Sequence, residues 1–489
     1  MSDKIRFILD GEIITLKNAE PTRTVLQYLR EDLQRTGSKE GCAEGDCGAC
    51  IVVIAEAIGN QLQFKATNAC IQFLPTLHGK ALFTVESLKN ADGSLHPVQQ
   101  SMVDYHGSQC GFCTPGFVMS LFALYQSGTE INRETLDDAL SGNLCRCTGY
   151  QPIIEAGLHV RDYPAADEAN HHNQAKLLSQ LQALNSDQAV SLQTLAGQYH
   201  APTSLQVFAK LYQQNSQATI LAGGTDIGLW VTKQLQTLDH VIYLGNIAEL
   251  KNISETASGI EIGAAVSLEK AFAWLAKPYP ELRGLFRRFA SIPVRNAGTL
   301  VGNIANGSPI GDSMPALICI GARIKLRLGS QTRELALQDL YVDYQKNAML
   351  AGEFIESVFI PARADSLKLR SYKLSKRFDQ DISAVCGAFS IQLEDDRVHR
   401  ITIAYGGMAA IPKRASTTER FILGKPWDKN TVRQGMILLA QDYKPLNDMR
   451  ASACYREQGA ANLLYRFYLE SRRQNPLLPN QVNVFEARV

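Results

Sequence analysis

Apolar and polar side chains alternate through the opening stretch MSDKIRFILDGEIITLKN, with a turn at Asp10–Gly11. A period of two places alternate side chains on one face, so this stretch predicts a strand entering a hairpin. Further on the period lengthens. TPGFVMSLFALYQSG, from Thr114, begins with a Pro and ends with a Gly, which predicts a helix of about three turns. INRETLDDALSGNLCRCTGY, from Ile131, predicts another helix ending at a Gly. The polar run RDYPAADEANHHNQAKLLSQLQALNSDQ, from Arg161, predicts a linker holding one short helix, with His171 and His172 solvated. ATILAGGTDIGLW, from Ala218, reads as an apolar strand feeding a Gly turn. SYKLSKRFDQDISAVCGAFSI, from Ser371, starts as a basic turn and becomes an apolar strand. ITIAYGGMAAIPKRASTTERFILGKPW, from Ile401, alternates like strands before helices that run to YRFYLESRR.

At 489 residues the chain exceeds the size of one hydrophobic core, so three or more domains are expected. Lys plus Arg (49) nearly balance Asp plus Glu (48), which gives no electrostatic case for nucleic acid or an acidic membrane. The N-terminus lacks the basic-then-apolar pattern of a secretory signal. No apolar run reaches the roughly 18 residues of a membrane span, and FVMSLFALY suits a buried helix. A cytoplasmic protein with no membrane and no nucleic-acid partner is the expectation.

Eight of the 11 cysteines precede residue 150, and in a reducing compartment clustered thiols point to metal or redox chemistry. Cys319, Cys386 and Cys454 are isolated and predicted to be ordinary buried residues. In GCAEGDCGAC, Cys42, Cys47 and Cys50 have the C-x4-C-x2-C spacing of plant-type [2Fe–2S] proteins, and Cys70 supplies a fourth thiolate. Thiolates neutralise the charge of iron, and glycines let a tight loop turn its N–H groups toward the sulfurs. Structural zinc favours paired C-x2–4-C knuckles and fits this run poorly. A second set follows: Cys110 and Cys113 in SQCGFCTPGFVMS, and Cys145 and Cys147 in SGNLCRCTGYQP. Taken alone, C-x2-C with C-x-C also suits zinc; flanking helices place these thiols at helix ends in a small bundle.

QCGFCTPGFVMS followed by SGNLCRCTGYQPI closely resembles the [2Fe–2S] modules of the molybdenum hydroxylases. That family includes xanthine dehydrogenases, aldehyde oxidases and carbon monoxide dehydrogenases. The resemblance implies a β-grasp [2Fe–2S] ferredoxin domain near the N-terminus and a helical [2Fe–2S] bundle after it. It also implies that the helical cluster lies nearer a molybdenum centre and the ferredoxin-like one nearer a flavin. Gln109 matches a family glutamine between the helical cluster and the pterin.

Gly223, Gly224 and Thr225 end a strand in a turn with free N–H groups, a recurrent phosphate cradle, but not the G-x-G-x-x-G pattern. FASIPVRNAGTLVGNIANGSPIGDSMPALICIGA, from Phe289, reads as a largely loop-like stretch carrying Thr299, Gly302, Asn303, Ser308 and Asp312, whose small size and polar groups suit a ribityl chain or pyrophosphate. Together these segments resemble the FAD-binding subdomains of the same family, which have the vanillyl-alcohol-oxidase type of fold. By that resemblance Leu221, Ala222, Gly223, Gly224, Thr225, Asp226 and Ile227 match the pyrophosphate loop. Phe289 matches an aromatic on the isoalloxazine ring, Asp312 a carboxylate near the ribityl hydroxyls, and Ile355 and Lys373 two further flavin contacts. Lys376, Arg377, Asp379 and Asp381 match a loop where nicotinamide approaches; the plain alternative is a solvated charged turn.

The resemblance covers nearly the whole chain and implies a multidomain α+β protein. Its expected parts are a plant-type ferredoxin domain (1–82), a helical 2Fe-2S domain (83–160), a linker (161–198), an FAD-binding domain (199–370) and a C-terminal domain like that of CO-dehydrogenase flavoproteins (371–489). A pterin domain needs several hundred further residues, so the hydroxylating molybdenum site, and with it every purine-hydroxylating residue, is expected on a separate chain. Iron–sulfur domains before flavin in one chain resemble the small subunits of bacterial xanthine dehydrogenases. That resemblance implies purine catabolism, with electrons passing from a molybdopterin-binding large subunit through two [2Fe–2S] clusters to FAD and then NAD⁺, in a heterotetramer of two small and two large subunits. An alternative keeps the relay but pairs it with a large subunit acting on aldehydes or N-heterocycles. Another is a non-catalytic scaffold with structural zinc.

Overall fold

The computed structural model describes residues 2–90, 92–164, 173–184 and 189–483; His171 and His172 lie outside them. Two compact units make up the chain: Met1–Lys251 with Ser267–Glu269 and Ala290–Thr299, and Asn252–Val266 with Lys270–Phe289 and Leu300–Val489. The stretch expected to be one FAD-binding domain, 199–370, contributes to both.

In the first unit the opening hairpin forms as the alternation predicts, Lys4–Leu9 pairing antiparallel with Glu12–Lys17. It joins a five-stranded sheet whose other strands are Ala81–Phe83, Ile51–Ile58 and Gln61–Asn68. Successive strand side chains point to opposite faces, and here both faces are buried. Ile5, Phe7, Val52 and Ile54 enter one core; Ile8, Ile51, Val53 and Ala55 enter another. The first core is shared with a smaller sheet in which Gly197–Ala201, His240–Tyr243 and Thr219–Leu221 run parallel. The second is shared with helices Pro97–Asp104, Thr114–Gln126, Arg133–Leu140 and Gln151–His159.

Both predicted helices are present. Thr114–Gln126 has Pro115 in its first turn, where a missing N–H costs nothing. The Asn132 side chain caps Arg133–Leu140 by accepting from the Thr135 N–H. The predicted linker is more ordered than its polarity suggests. Gln174–Leu184 is a helix whose Leu177, Leu181 and Leu184 form a buried stripe, and Val190–Thr194 is already a strand.

Among its described residues the second unit contains a two-stranded antiparallel sheet, Tyr341–Asp343 with Lys346–Asn347, and two larger antiparallel ones. One is five-stranded, with Phe354–Pro361 between Gly259–Gly263 and Arg323–Leu328. The other orders Lys368–Leu374, Val385–Glu394, Arg397–Gly406 and Lys413–Arg414. Helices Lys429–Asp442 and Ala453–Ser471 bury Val432, Leu439, Leu464 and Phe467 in the core of that second sheet.

Two expectations are corrected. The stretch from Phe289, expected to be largely loop, contains the helices Ile292–Ala297, Leu300–Asn306 and Ser313–Cys319. Pro293 and Gly298 bracket the first of these, so residues read as loop formers are its start and stop signals. Cys319 and Cys386 are buried, but Cys454 is exposed in the first turn of Ala453–Ser471, whose buried positions begin at Arg456. Among the described residues no helix is long and apolar enough to cross a membrane.

Candidate functional site

The loop from Gly41 to Cys50 forms neither helix nor strand and wraps around its own thiols. The backbone N–H groups of Glu44, Asp46 and Cys47 each lie 3.4 Å from Cys42 Sγ. Cys50 and Cys70 are buried beside them, at the start of Ile51–Ile58 and just after Gln61–Asn68. Contact with the Cys47 and Cys70 sulfurs drives the Cys42 thiol far down, while the same contacts push Cys47 and Cys70 up. Four thiols gathered this closely in a loop whose N–H groups face a sulfur fit an iron–sulfur cluster, whose iron would neutralise their thiolate charge.

The second set lies at helix ends. Cys113 is the N-cap of Thr114–Gln126, and Cys145 and Cys147 occupy the loop between Arg133–Leu140 and Gln151–His159. Cys147 and Cys110 sulfurs are 3.5 Å apart, and Cys145 Sγ contacts the Thr148 hydroxyl at 3.0 Å. Burial raises Cys145, but the Thr148 hydroxyl and backbone donors outweigh it and bring the thiol down to about 7. Burial and the Cys145 sulfur push Cys113 up to about 12. No three His, Cys, Asp or Glu side chains among the described residues converge on a single-ion position. A two-iron cluster asks instead for thiol pairs, one for each iron. Cys110, Cys147 and Gln109 are exposed, with Phe112, Leu144 and Tyr150 around them.

Backbone contact joins the two thiol sets. The Leu144 N–H donates to the Cys47 carbonyl at 3.0 Å, linking a residue of the first set to the neighbour of Cys145. Asn143, held by Ser120 at 2.8 Å, reaches the Gly48 carbonyl. A Cβ on Gly48 would stand 2.2 Å from the Gly142 carbonyl oxygen, and one on Gly116 2.0 Å from the Gly48 carbonyl oxygen. Only glycine permits this approach.

Also in the first unit, Leu221 ends its strand and the half-buried loop to Ile227 turns into the helix Ile227–Thr232. Gly223 packs on backbone: a Cβ there would lie 2.0 Å from the Ala297 carbonyl oxygen. Thr299 is buried beyond Gly298 and bridges to Ser267. The loop thus presents backbone and a hydroxyl without bulk, as a pyrophosphate cradle requires.

In the second unit Asp312 and Lys373 form a buried ion pair at 2.5 Å, their side chains 5% and 3% exposed. The other Asp312 oxygen accepts from Ser383 Oγ at 2.5 Å, so both oxygens are engaged. Asp312 therefore holds Lys373 in place. Asn303 accepts from Ser313 Oγ at 2.6 Å, and Ser308 and Gly302 are half-buried nearby in sequence. Ile355 is buried within Phe354–Pro361, and half-buried Phe289 meets Phe272 edge-on at 5.4 Å.

The predicted nicotinamide turn is exposed and partly self-paired. Lys376 Nζ donates to the Met449 carbonyl at 3.1 Å, and the Arg377 N–H donates to Asp381 at 2.8 Å. Asp379 lies exposed between them in sequence. Sequence reasoning missed Arg288, which donates to the carbonyls of Lys373 (3.1 Å) and Phe378 (3.0 Å) and to Ser375 Oγ (2.9 Å), pinning this turn. It also missed Ser383, Thr148 and Tyr150. The last two stand in CRCTGY directly after the thiols, where a hydroxyl and a phenol were legible as candidate hydrogen-bonding partners.

Four domain families match successive parts of the chain. Residues 7–73 match the 2Fe-2S iron–sulfur cluster binding domain, and 84–158 the [2Fe-2S] binding domain. Residues 192–363 match the FAD binding domain in molybdopterin dehydrogenase, and 370–471 the CO dehydrogenase flavoprotein C-terminal domain. Two cluster-binding domains, an FAD-binding domain and a flavoprotein C-terminal domain make up an electron-transfer module of the molybdenum hydroxylase family, and this chain belongs to that family. Within that family it corresponds to the N-terminal iron–sulfur and FAD region of xanthine dehydrogenase. The xanthine dehydrogenases of Drosophila pseudoobscura pseudoobscura and Emericella nidulans are each 30% identical to it, over 97% and 95% of this chain but 40% and 38% of theirs. The chain thus spans about two fifths of the length of the curated relatives it matches. Among solved structures, a chain of CO dehydrogenase from Oligotropha carboxidovorans is similar, with TM-score 0.51 and 26% identity, over 55% of this chain and 94% of that one. A chain of quinoline 2-oxidoreductase from Pseudomonas putida 86 shares the fold, with TM-score 0.52 and 24% identity over 57% of this chain and 98% of that one.

Proposed function

We propose that this chain is the electron-relay subunit of a xanthine dehydrogenase, taking electrons from purine oxidation at a separate molybdopterin-binding subunit and passing them to NAD⁺. The observation that carries this reading is the backbone bond from Leu144 to Cys47, which ties two four-thiol sets together in a chain with flavin-binding domains. When bound, the clusters carry single electrons and FAD gathers two for a hydride acceptor. Cys42, Cys47, Cys50 and Cys70 would hold one cluster, and Cys110, Cys113, Cys145 and Cys147 the other. The 221–227 loop would take the flavin pyrophosphate. Thr299 belongs to the same unit as that loop. Within the second unit, Phe289, Gly302, Asn303, Ser308, Ile355 and the Lys373–Asp312 pair are the positions that the family resemblance assigns to flavin. Lys376 and Arg377 would meet nucleotide phosphate, with Asp379 and Asp381 closing the turn.

The proposed domain limits are 1–82, 83–160, 199–370 and 371–489, with 161–198 connecting them. A separate molybdenum chain draws support from the solved CO dehydrogenase chain, which this protein covers almost completely. Two-fold symmetry favours two small and two large subunits. Eleven free thiols suit the reducing cytoplasm. A second reading, the same relay serving aldehyde or N-heterocycle oxidation, differs only in the partner.

Anaerobic NADH titration of the cofactor-loaded chain, followed by visible absorption, tests the relay. Bleaching of flavin and both clusters by roughly two equivalents is expected, since FAD takes two electrons and each cluster one. Bleaching by dithionite but not NADH would remove NAD⁺ from the assignment. A protein that takes up zinc but neither iron nor flavin would overturn the relay.

A further inference from the structure

Thr148 stands at Cys145, the buried residue of the second thiol set. Cys110 and Cys147 are exposed and Cys113 is half-buried, whereas Cys145 is buried. At Cys145 the protein itself provides the hydrogen bonds. Thr148 Oγ1 lies 3.0 Å from Cys145 Sγ, and the Tyr150 N–H reaches the same Oγ1 at 3.2 Å.

The chemistry of the three groups sets the direction of these bonds. A backbone N–H only donates, so Tyr150 fills a lone pair of the hydroxyl. An iron-bound thiolate has no proton and only accepts, so the remaining hydroxyl proton points to Cys145. Tyr150 is held in the left-handed region, at φ 69°, and its own hydroxyl accepts the Cys145 N–H at 3.0 Å. Thr148 and Tyr150 thus grip Cys145 from both its sulfur and its backbone.

We propose that Thr148 tunes the reduction potential of the second cluster by donating this hydrogen bond. The proposal rests on the iron–sulfur reading above. A donor to a ligand sulfur stabilises the more negative, reduced cluster and raises its potential. Cys145 follows Leu144, whose N–H contacts Cys47, so the tuned sulfur belongs to the residue next to the junction with the first set. Thr148 is a positioning residue for electron flow: it sets how strongly the second cluster holds an electron relative to the first.

The experiment is an EPR-monitored potentiometric titration of the full cofactor-loaded chain. Thr148→Val is expected to lower the one-electron reduction equilibrium of the second cluster about tenfold, a fall of about 59 mV. The first cluster should not move, and Thr148→Ser should restore the wild-type value. An unshifted second cluster in Thr148→Val with full iron content overturns the proposal, as does an equal shift of both clusters. Thr148→Ala serves where the valine disturbs the loop. Where neither variant keeps its iron, pulsed EPR of the wild type in D₂O decides: a hydroxyl deuteron coupled to the second cluster supports the bond, and its absence overturns it. Two distinct reduced signals in the wild type preserve the relay reading even when Thr148 proves silent. Their absence overturns both.

Discussion

Lys373 and Asp312 show how a single buried pair shapes a candidate flavin contact. Two charges this deep stabilise one another, and removing Lys373 leaves Asp312 with only the Ser383 bond and the field of Arg288 to compensate its charge. Lys373→Met is expected to cost about 3–5 kcal/mol, read as a lower apparent melting temperature with loss of bound flavin. The double variant Asp312→Asn with Lys373→Met should be less destabilised than Lys373→Met alone, since no orphan charge remains. Equal losses would show that the pair acts through packing. Gly116 makes the opposite kind of demand. Its missing Cβ admits the Gly48 carbonyl at a distance no side chain tolerates, so Gly116→Ala should cost about 3 kcal/mol. Lower iron content and a lower melting temperature are the readouts.

Among the elements, the strand–loop–helix from Thr219 to Thr232 joins local sequence to a distant backbone. The Gly turn was legible from ATILAGGTDIGLW, but the Ala297 carbonyl that makes Gly223 obligatory comes from a helix read as loop. Gly223→Ala is expected to abolish FAD binding while leaving iron unchanged, measured as released flavin and iron per chain. Flavin at the wild-type ratio would contradict the cradle. Both thiol sets stood out in the sequence by their short C-x4-C-x2-C, C-x2-C and C-x-C spacings, and the helix opened by Pro115 was legible too, whereas the one bracketed by Pro293 and Gly298 was not. Asn143 and Arg288 were not legible, because their roles depend on which loops meet. The strand Val190–Thr194 was missed for a related reason: its burial comes from partner strands, not from its own composition.

For the whole molecule, acid sensitivity follows from where the first unit shelters histidines. Burial lowers His78, His200 and His240, with Arg6 and Lys80 adding to the effect at His78. Each is held neutral in the fold, whereas the unfolded chain takes up a proton at about pH 6.5. Unfolding thus binds protons below that pH, so stability is full above about 6.5 and falls as pH drops further. The apparent melting temperature should fall between pH 7.5 and 5.5. His78→Gln, whose amide oxygen can still accept the Arg6 N–H that His78 Nδ1 accepts at 3.0 Å, should weaken that fall. An identical fall in the variant would place the effect elsewhere.

At this scale the division between sequence and structure is clearest. The sequence by itself determined the chemistry each segment carries: eight thiols at cluster spacing, a Gly turn ready for phosphate, and periodicities that commit segments to strand or helix. These properties arise from neighbours within a few residues. Tertiary structure alone decided that the ferredoxin sheet is buried on both faces, that Leu144 reaches Cys47, and that Asp312 holds Lys373. Those contacts join residues far apart in the chain. Close packing brings them together, and no local pattern encodes which distant surfaces will meet.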